Sequence, residues 1–384
     1  MLLARELYNL LLEKAKMHYK ETGKTFNRNN MNKWITELKS QRSDLEGVYS
    51  QVLQNVADRV SKAYRNFFAR VKARKAGRNV KAGFPRAKKF VSSITYPQSG
   101  FEFIQQKKVL QVSKIGHIPV VLDRKIDGRT KTLTIKKSKS GEWYASTIVP
   151  SPDVPFVPNN GNVIGMDLGI NSLAALSDGT KIENLRVYEK KLRRIARLHR
   201  RVSMRKNNGR NRRKAVMRLA KASEHVERKR TDYLHKQSRI MVNSYSIIAC
   251  EKLNIENMLK SHRLARSISD ASWGNFVRMI CYKAESAGCR VIEVDPRNTS
   301  RTCSCCGNIR EISLSERTYD CGRCGMIMDR DVNAARNILK RATAGPAGSY
   351  ASGDTANTAQ RCAASGIDEP GTTYGRIAVG NPRL

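Results

Sequence analysis

Hydrophobic positions in the first 75 residues recur at helical spacing. Leu3, Leu7, Leu10 and Leu11 fall on one face, and Val52, Val56, Val60 and Tyr64 form another stripe further on. Asn27–Asn30 offers capping side chains, so a middle helix is expected to run through Trp34 and Leu38. The opening segment MLLARELYNLLLEKAK is apolar and charged, as a signal sequence is. Arg5, Glu6, Glu13 and Lys14 interrupt it and no small-residue cleavage site follows, so it reads as an amphipathic helix. Between residues 90 and 150 the period changes. FEFIQQ, KVLQVSKI, IPVVLDR, KTLTIKKS and EWYASTIVP alternate or cluster β-branched residues, punctuated by Gly100, Gly116, Gly128 and Gly141. Short strands at that spacing predict a small β-barrel or sheet. The Pro-rich stretch from Pro150 to Asn160 is the clearest boundary.

A different pattern begins at Asn162. NVIGMDLGI predicts a buried strand, SLAALSDG a second and TKIENLRV a third. Residues 188–242 are helical and strongly basic, broken at Asn207-Asn208-Gly209. SYSIIACEKL predicts another strand, WGNFVRMICYKAESAG a helix, CRVIEVDP a strand and DVNAARNILKRA a last helix. The expected division is a helical lobe (1–75), a β-rich domain (76–155) and an α/β domain (161–300) with the basic helical insertion (188–242). A cysteine-rich insert (301–328), a final helix (329–343) and a tail expected to be disordered (344–384) complete it. No internal repeat is visible.

Charge narrows the function. Among 384 residues, Lys+Arg number 72 against 33 Asp+Glu, a formal net charge of +39. A compact fold with that excess repels itself unless a polyanion neutralises it. Nucleic acid is the expected partner, with an anionic membrane surface or a ribosomal role as the blander readings. No apolar run approaches the roughly 20 residues needed to span a bilayer, so no membrane partner is expected. Nine cysteines, an odd number in a long chain, do not suggest a disulfide framework.

Four of those cysteines form two C-x2-C knuckles, Cys303/Cys306 and Cys321/Cys324, separated by residues 307–320. Paired thiolates on tight turns can meet at one tetrahedral zinc ion, and four thiolates leave no open position for catalysis. Gly307 follows Cys306 as Gly325 follows Cys324, and this register excludes Cys305. Free or redox-active thiols are the alternative. Cys250, Cys281, Cys289 and Cys362 have no ligand spacing, and the first three fall in apolar elements expected to be core.

Three acids stand where a metal-dependent nuclease would need them. Asp167 interrupts an apolar strand between Gly165 and Gly169, a costly place for a carboxylate that is neither paired nor metal-bound. Glu251 ends the apolar strand Tyr245–Cys250, and Asp331 opens the last helix. Convergent carboxylates can hold two magnesium or manganese ions about 3.5–4 Å apart. Each acid has a plainer reading at this stage. Asp167 could be a satisfied strand-end acid, and Glu251 could pair with an arginine. Asp331, like Asp329, could be a helix-capping acid. Asp178, in a Ser-Asp-Gly turn, reads as structural.

The motifs GMDLGIN, ACEKLNIENM, SISDASWGNFVRMICYKAESAG, TSRTCSCCG, YDCGRCG and MDRDVNAARNIL run in order from Gly165 to Leu339. Together they resemble the transposon-encoded OrfB/TnpB family, which is related to the type V CRISPR effector nucleases. The earlier AYRNFFARVKARKAG…KAGFPRAKK resembles it more weakly. The resemblance implies an α/β fold plus β-barrel and helical lobe. The α/β part would be an RNase H-like (RuvC-type) nuclease domain with an inserted zinc ribbon, preceded by a recognition lobe and a wedge barrel. It implies catalytic, magnesium- or manganese-binding acids at Asp167, Glu251 and Asp331, and structural zinc at Cys303, Cys306, Cys321 and Cys324. Of the two acids in Asp329-Arg330-Asp331, the one directly before Val332-Asn333-Ala334-Ala335 matches the family's catalytic Asp. The implied activity is an RNA-guided, divalent-metal-dependent DNA endonuclease of an insertion sequence. It would act in DNA transposition and recombination, as a monomer with a guide RNA from the transposon end, on double-stranded DNA in the prokaryotic cytoplasm and nucleoid. Family members open with an extra strand before a helix bearing a Tyr-Asn segment. This chain starts almost at that helix (Tyr8-Asn9), leaving the first barrel strand unmatched.

Arg193, Arg194, Arg197, Arg200 and Arg201 recur beside Leu192, Ile195 and Leu198. A solvated helix face is the plain reading, and a grip on the backbone of an RNA–DNA heteroduplex the functional one. Lys88 and Lys89 are expected to hold guide RNA. Trp273 and Tyr282 could stack a base but lie in a helical pattern that more often packs a core, and His199 and His235 read as polar surface. The alternatives to a guided nuclease are a guide-bound repressor, a strand-transferring transposase and a zinc-ribbon nucleic-acid chaperone. Intact acids argue against the first. The insert between the second and third acids argues against the second, and the last needs no acids.

Overall fold

The computed structural model describes residues 1–150, 161–258, 265–313, 315–344 and 377–379. The chain forms two compact units, Met1–Pro152 with Glu369–Leu384, and Asp153–Asp368.

In the first unit, α1 (Leu2–Thr22), α2 (Arg28–Gln41) and α3 (Ser50–Lys75) bury Leu7, Leu11, Val52, Val56, Val60 and Tyr64 of the expected stripes and leave Leu3, Leu10, Trp34 and Leu38 half-buried. Leu7, Leu11, Met31, Leu53 and Val60 are almost fully buried in one core. The Asn27 side chain accepts from the Asn30 N–H at 2.9 Å and so sets where α2 begins. The β-rich segment contains β1 (Ser93–Tyr96), β2 (Phe101–Ile104), β3 (Val109–Val112), β4 (Gly116–Pro119), β5 (Thr132–Lys137) and β6 (Trp143–Ile148). These strands do not close. β1, β5 and β6 form one antiparallel sheet, extended by Ile377–Val379, and β2, β3 and β4 form another. The two sheets share a core of Tyr96, Leu110, Val112, Leu133 and Ile135.

The expected barrel is therefore corrected to two small sheets around one core, with no closed barrel among the described residues. Residues 120–131, between β4 and β5, carry Asp123, Arg124, Lys125 and Asp127 and form no strand beyond a single bridge residue at Val121. Period-two patterning marks where strands are but not which edges pair. Of the tail expected to be disordered, only Ala344 and the short strand Ile377–Val379 are described. The rest lies outside the described residues.

The second unit is a mixed α/β layer. β7 (Asn162–Leu168), β8 (Ser172–Leu176) and β9 (Lys181–Glu183) form an antiparallel meander. α4 (Val187–Ser203) and α5 (Arg210–Ser244) follow, broken where expected, with Asn208 in the left-handed region. α5 runs straight into β10 (Tyr245–Glu251), which lies parallel to β7. After α6 (Ile255–Met258), α7 (Ala265–Ala271) and α8 (Trp273–Ala287), β11 (Arg290–Val294) pairs parallel with β10. The sheet order is β11-β10-β7-β8-β9. A small hairpin, β12 (Thr318–Asp320) and β13 (Ile327–Asp329), leads into α9 (Arg330–Thr343).

The two faces of the sheet are covered by different helices. Ile164, Met166, Ile248 and Cys250 point into a core with Phe276 and Ile280 of α8. Ala249 and Val294 pack against Ile338 and Ala342 of α9 on the other face. α9 crosses β7 at Gly165, where a Cβ would run into the Ala335 carbonyl and Leu339. Glycine is required there by close approach of the backbones.

Candidate active site and cysteine-knuckle metal centre

The register of two parallel strands aligns the first two acids. The ladder between β7 and β10 ends at Met166 paired with Cys250, and Asp167 and Glu251 each follow by one residue. Side chains alternate along a strand. With Met166 and Cys250 in the α8-side core, the two acids share the α9 face with Gly165 and Ala249. Asp331 reaches the same end of the sheet from the first turn of α9. Its Oδ2 lies 3.8 Å from where a Cβ on Gly169 would be. Burial, and then the charges of Glu251 and Asp331, push the Asp167 carboxyl well above the usual range. Burial also raises Glu251, against a hydrogen bond from the Thr299 hydroxyl to its Oε1 and the charge of Arg341.

The neighbouring acid has a different task. Asp329 is the N-cap of α9, accepting from the Asp331 and Val332 N–H groups at 3.0 and 3.2 Å and pairing with Lys181 at 2.5 Å. Asp331 is left with Arg330, whose guanidinium lies 3.2 Å from Oδ1. Asp178 accepts from the Thr180 N–H at 2.8 Å within its turn, as a structural acid does. Three carboxylates at one sheet end, each raised or paired with a cation, form a donor set suited to hard divalent ions.

The four knuckle cysteines are gathered more tightly. Their sulfurs all lie within 4.8 Å of one another. Cys303 Sγ is 3.7 Å from Cys324 Sγ, and Cys306 Sγ is 3.6 Å from Cys321 Sγ. Four sulfurs at about 2.3 Å from one zinc ion stand about 3.8 Å apart, so the quartet fits a zinc site. The backbone N–H of Cys324 pulls the Cys321 thiol down to about 6, while, against the backbone N–H of Met326, burial and the other three sulfurs push Cys324 up to about 12. Cys305 is not among the clustered sulfurs, in line with its exclusion. Among the described residues this is the cluster whose ligand atoms meet so closely, and the three acids are spaced more widely. A pair of ions about 3.5–4 Å apart can be shared by carboxylates farther apart than one tetrahedral ion permits.

Arg193, Arg194, Arg197, Arg200 and Arg201 are all exposed on α4, while Ile195 is buried against Val226 of α5. The helix presents its guanidinium groups to solvent and keeps its narrow apolar stripe inside. Lys89 is exposed, but Lys88 is half-buried with Nζ 4.1 Å from the Tyr8 ring centre, and burial lowers its pKa. Trp273 is buried and Tyr282 is half exposed. His199 and His235 are exposed.

Several supporting roles escaped sequence reasoning. Trp273 donates from its indole to the Gly169 carbonyl at 3.0 Å, steadying the end of β7 beside Asp167. Buried Asp270 caps α4 from a distance, accepting from the Tyr188 and Glu189 N–H groups. Thr299, before the first knuckle, and Asn333 and Asn337, on α9, are buried polar residues. Two asparagines four apart on an otherwise Ala- and Ile-rich helix face were the available signal.

Two family models match the chain. One, described as a probable transposase (OrfB_IS605), covers residues 146–262, and the other, the Cas12f1-like TNB domain, covers 273–338. A putative RNA-guided DNA endonuclease of Streptomyces pristinaespiralis is 31% identical over 348 residues, 88% of this chain and 82% of that one. The putative RNA-guided DNA endonuclease InsQ of Escherichia coli (strain K12) is 30% identical over 358 residues, 87% and 85% of the two chains. A CRISPR-associated endodeoxyribonuclease Cas12f1 of Sulfoacidibacillus thermotolerans is 26% identical over 234 residues, 57% and 55% of the two chains.

Proposed function

The chain belongs to the transposon-encoded OrfB/TnpB family, and from that premise we propose that it is an RNA-guided, divalent-metal-dependent DNA endonuclease of an insertion sequence. One observation carries the reading: Asp167, Glu251 and Asp331 stand at one end of one sheet, close enough for the other two charges to raise Asp167. The sheet order supports an RNase H-like (RuvC-type) domain, with a three-strand meander flanked by two strands parallel to its first. The cysteine quartet supports a zinc ribbon inserted before the helix that brings the third acid.

Asp167, Glu251 and Asp331 would hold magnesium or manganese. When bound, a pair of such ions supplies an activated water and stabilises the departing 3′ oxygen of a phosphodiester. The protein's own part is to keep three carboxylates aimed at one place. Neighbouring parallel strands carry Asp167 and Glu251, each one residue past the last pair, and Asp329 fixes the start of α9 so that Asp331 is not spent as the cap. The relatives' names supply guide RNA and DNA as the polyanions that a net charge of +39 calls for. The exposed arginines of α4 suit a grip on backbone phosphates, with Lys89 as a further contact. No described helix is long and apolar enough to cross a membrane. A monomer bound to transposon-end RNA, working at the nucleoid during transposition, completes the proposal.

The test is cleavage by the ribonucleoprotein purified with the RNA of its own locus. Asp167→Ala is expected to lose cutting by on the order of a thousandfold or more while RNA binding is retained. Equal cutting by this variant in magnesium removes Asp167 from the site.

A further inference from the structure

We propose that Thr299 is the positioning residue for the Glu251 carboxylate, and that Asn333 and Asn337 tie it to the first cysteine knuckle, so that the cysteine site governs metal affinity at the acid site. This rests on the nuclease reading above.

Thr299 is only 3% exposed. Its hydroxyl has one proton and two acceptors in reach, Glu251 Oε1 and the Pro296 carbonyl at 3.1 Å. Of the two, the carboxylate is the charged acceptor and makes the stronger hydrogen bond. One oxygen of Glu251 is thereby fixed, and the other is left for a cation.

The Thr299 backbone is held in turn. Asn337 Nδ2 donates to the carbonyls of Thr299 at 2.9 Å and Thr302 at 2.6 Å. Asn333 Nδ2 donates to the Thr302 carbonyl at 2.8 Å, while its Oδ1 accepts from the Ser304 N–H at 2.8 Å. Lys340 Nζ donates to the Ser304 carbonyl. The two asparagines are buried, at 0% and 5% exposure. A buried amide is costly unless satisfied, and both are spent on the segment 299–304, which contains the ligand Cys303. An apolar side chain could fill the same space, but it could not set the position of that backbone. α9 carries Asp331 two residues before Asn333, so the same helix bears one acid and holds the strap that aims another. Displacement of the knuckle would disturb both.

The experiment measures manganese binding to the full-length ribonucleoprotein by electron paramagnetic resonance, with zinc content and cleavage followed on the same samples. Thr299→Val is expected to weaken manganese binding about 10–100-fold with zinc still bound and with a matching rise in the manganese needed for cutting. Thr299→Ser should restore binding to within about threefold, since only the hydroxyl is needed. Parent-like manganese affinity in Thr299→Val, or Thr299→Ser as weak as Thr299→Val, overturns the proposal. If Thr299→Val loses zinc and so fails to fold, Thr299→Ala, which only removes atoms, is judged by the same criteria. Asn337→Ala should weaken manganese binding in the same direction with zinc retained, and unchanged affinity removes the link through α9. A parent that binds manganese but cuts no DNA overturns the nuclease reading instead, and the Thr299 series is then decided by the titration alone.

Discussion

The cysteine quartet and the acid triad are built in opposite ways. The quartet draws four sulfurs from a single stretch, residues 303–324, and closes it with two turns. The triad draws its carboxylates from β7, the end of β10 and the start of α9, spread from 167 to 331. Closing a short loop costs little entropy, so a local site can form almost by itself. The acid site exists only after β10 has docked parallel to β7 and α9 has crossed Gly165. One is a staple, while the other depends on the whole sheet.

The contrast breaks most visibly under substitution of the ligands. Replacing Cys303 and Cys306 together with Ser should release zinc and destabilise the unit by on the order of several kcal/mol, read as a fall in the melting temperature with zero zinc by elemental analysis. Retained zinc contradicts the ribbon. The acid site should fail by a different route. Gly165→Ala leaves every acid in place but pushes α9 off β7, at a cost of about 1–3 kcal/mol. Cleavage should fall with zinc content unchanged, and parent-like cleavage would show that the crossing does not govern Asp331.

Smaller effects sharpen the picture. Changing the five exposed arginines of α4 to Gln should lower the slope of log affinity against log salt by roughly 0.7–0.9 for each arginine that meets a phosphate, with both metal contents unaltered. An unchanged slope leaves those arginines as a solvated face. Smallest of all, Asn27→Ala should cost about 1 kcal/mol through the lost cap of α2. Manganese and zinc binding should stay at parental levels, because the cap lies in the other unit.

Legibility in the sequence followed the same divide. Local devices could be read. The Asn27 cap, the break at Asn207-Asn208-Gly209 and the cysteine spacing each lie within a few residues, and each has its predicted form in the structure. Strands were visible as strands, but their partners were not. The expected barrel became two sheets because alternation is the same whichever edge a strand meets. Asp167 and Glu251 stood out as carboxylates in apolar strands, yet periodicity says nothing of the parallel pairing of β7 and β10 that carries both to one end of the sheet. Asp329 and Asp331 look alike as helix-opening acids by residue type, and only the family register singled out Asp331; the cap hydrogen bonds show what occupies Asp329. Thr299 and the two asparagines were silent, since a buried polar side chain reveals its role only through the backbone it meets.

The central claim is that three distant carboxylates make one hard-metal site while a separate sulfur site holds zinc. The direct measurement is a manganese titration of the parent and the Asp167→Ala ribonucleoprotein, with zinc counted in both. Manganese binding should be present in the parent and lost in the variant, with zinc equal in the two. Equal manganese binding by both, or loss of zinc together with manganese, would contradict it.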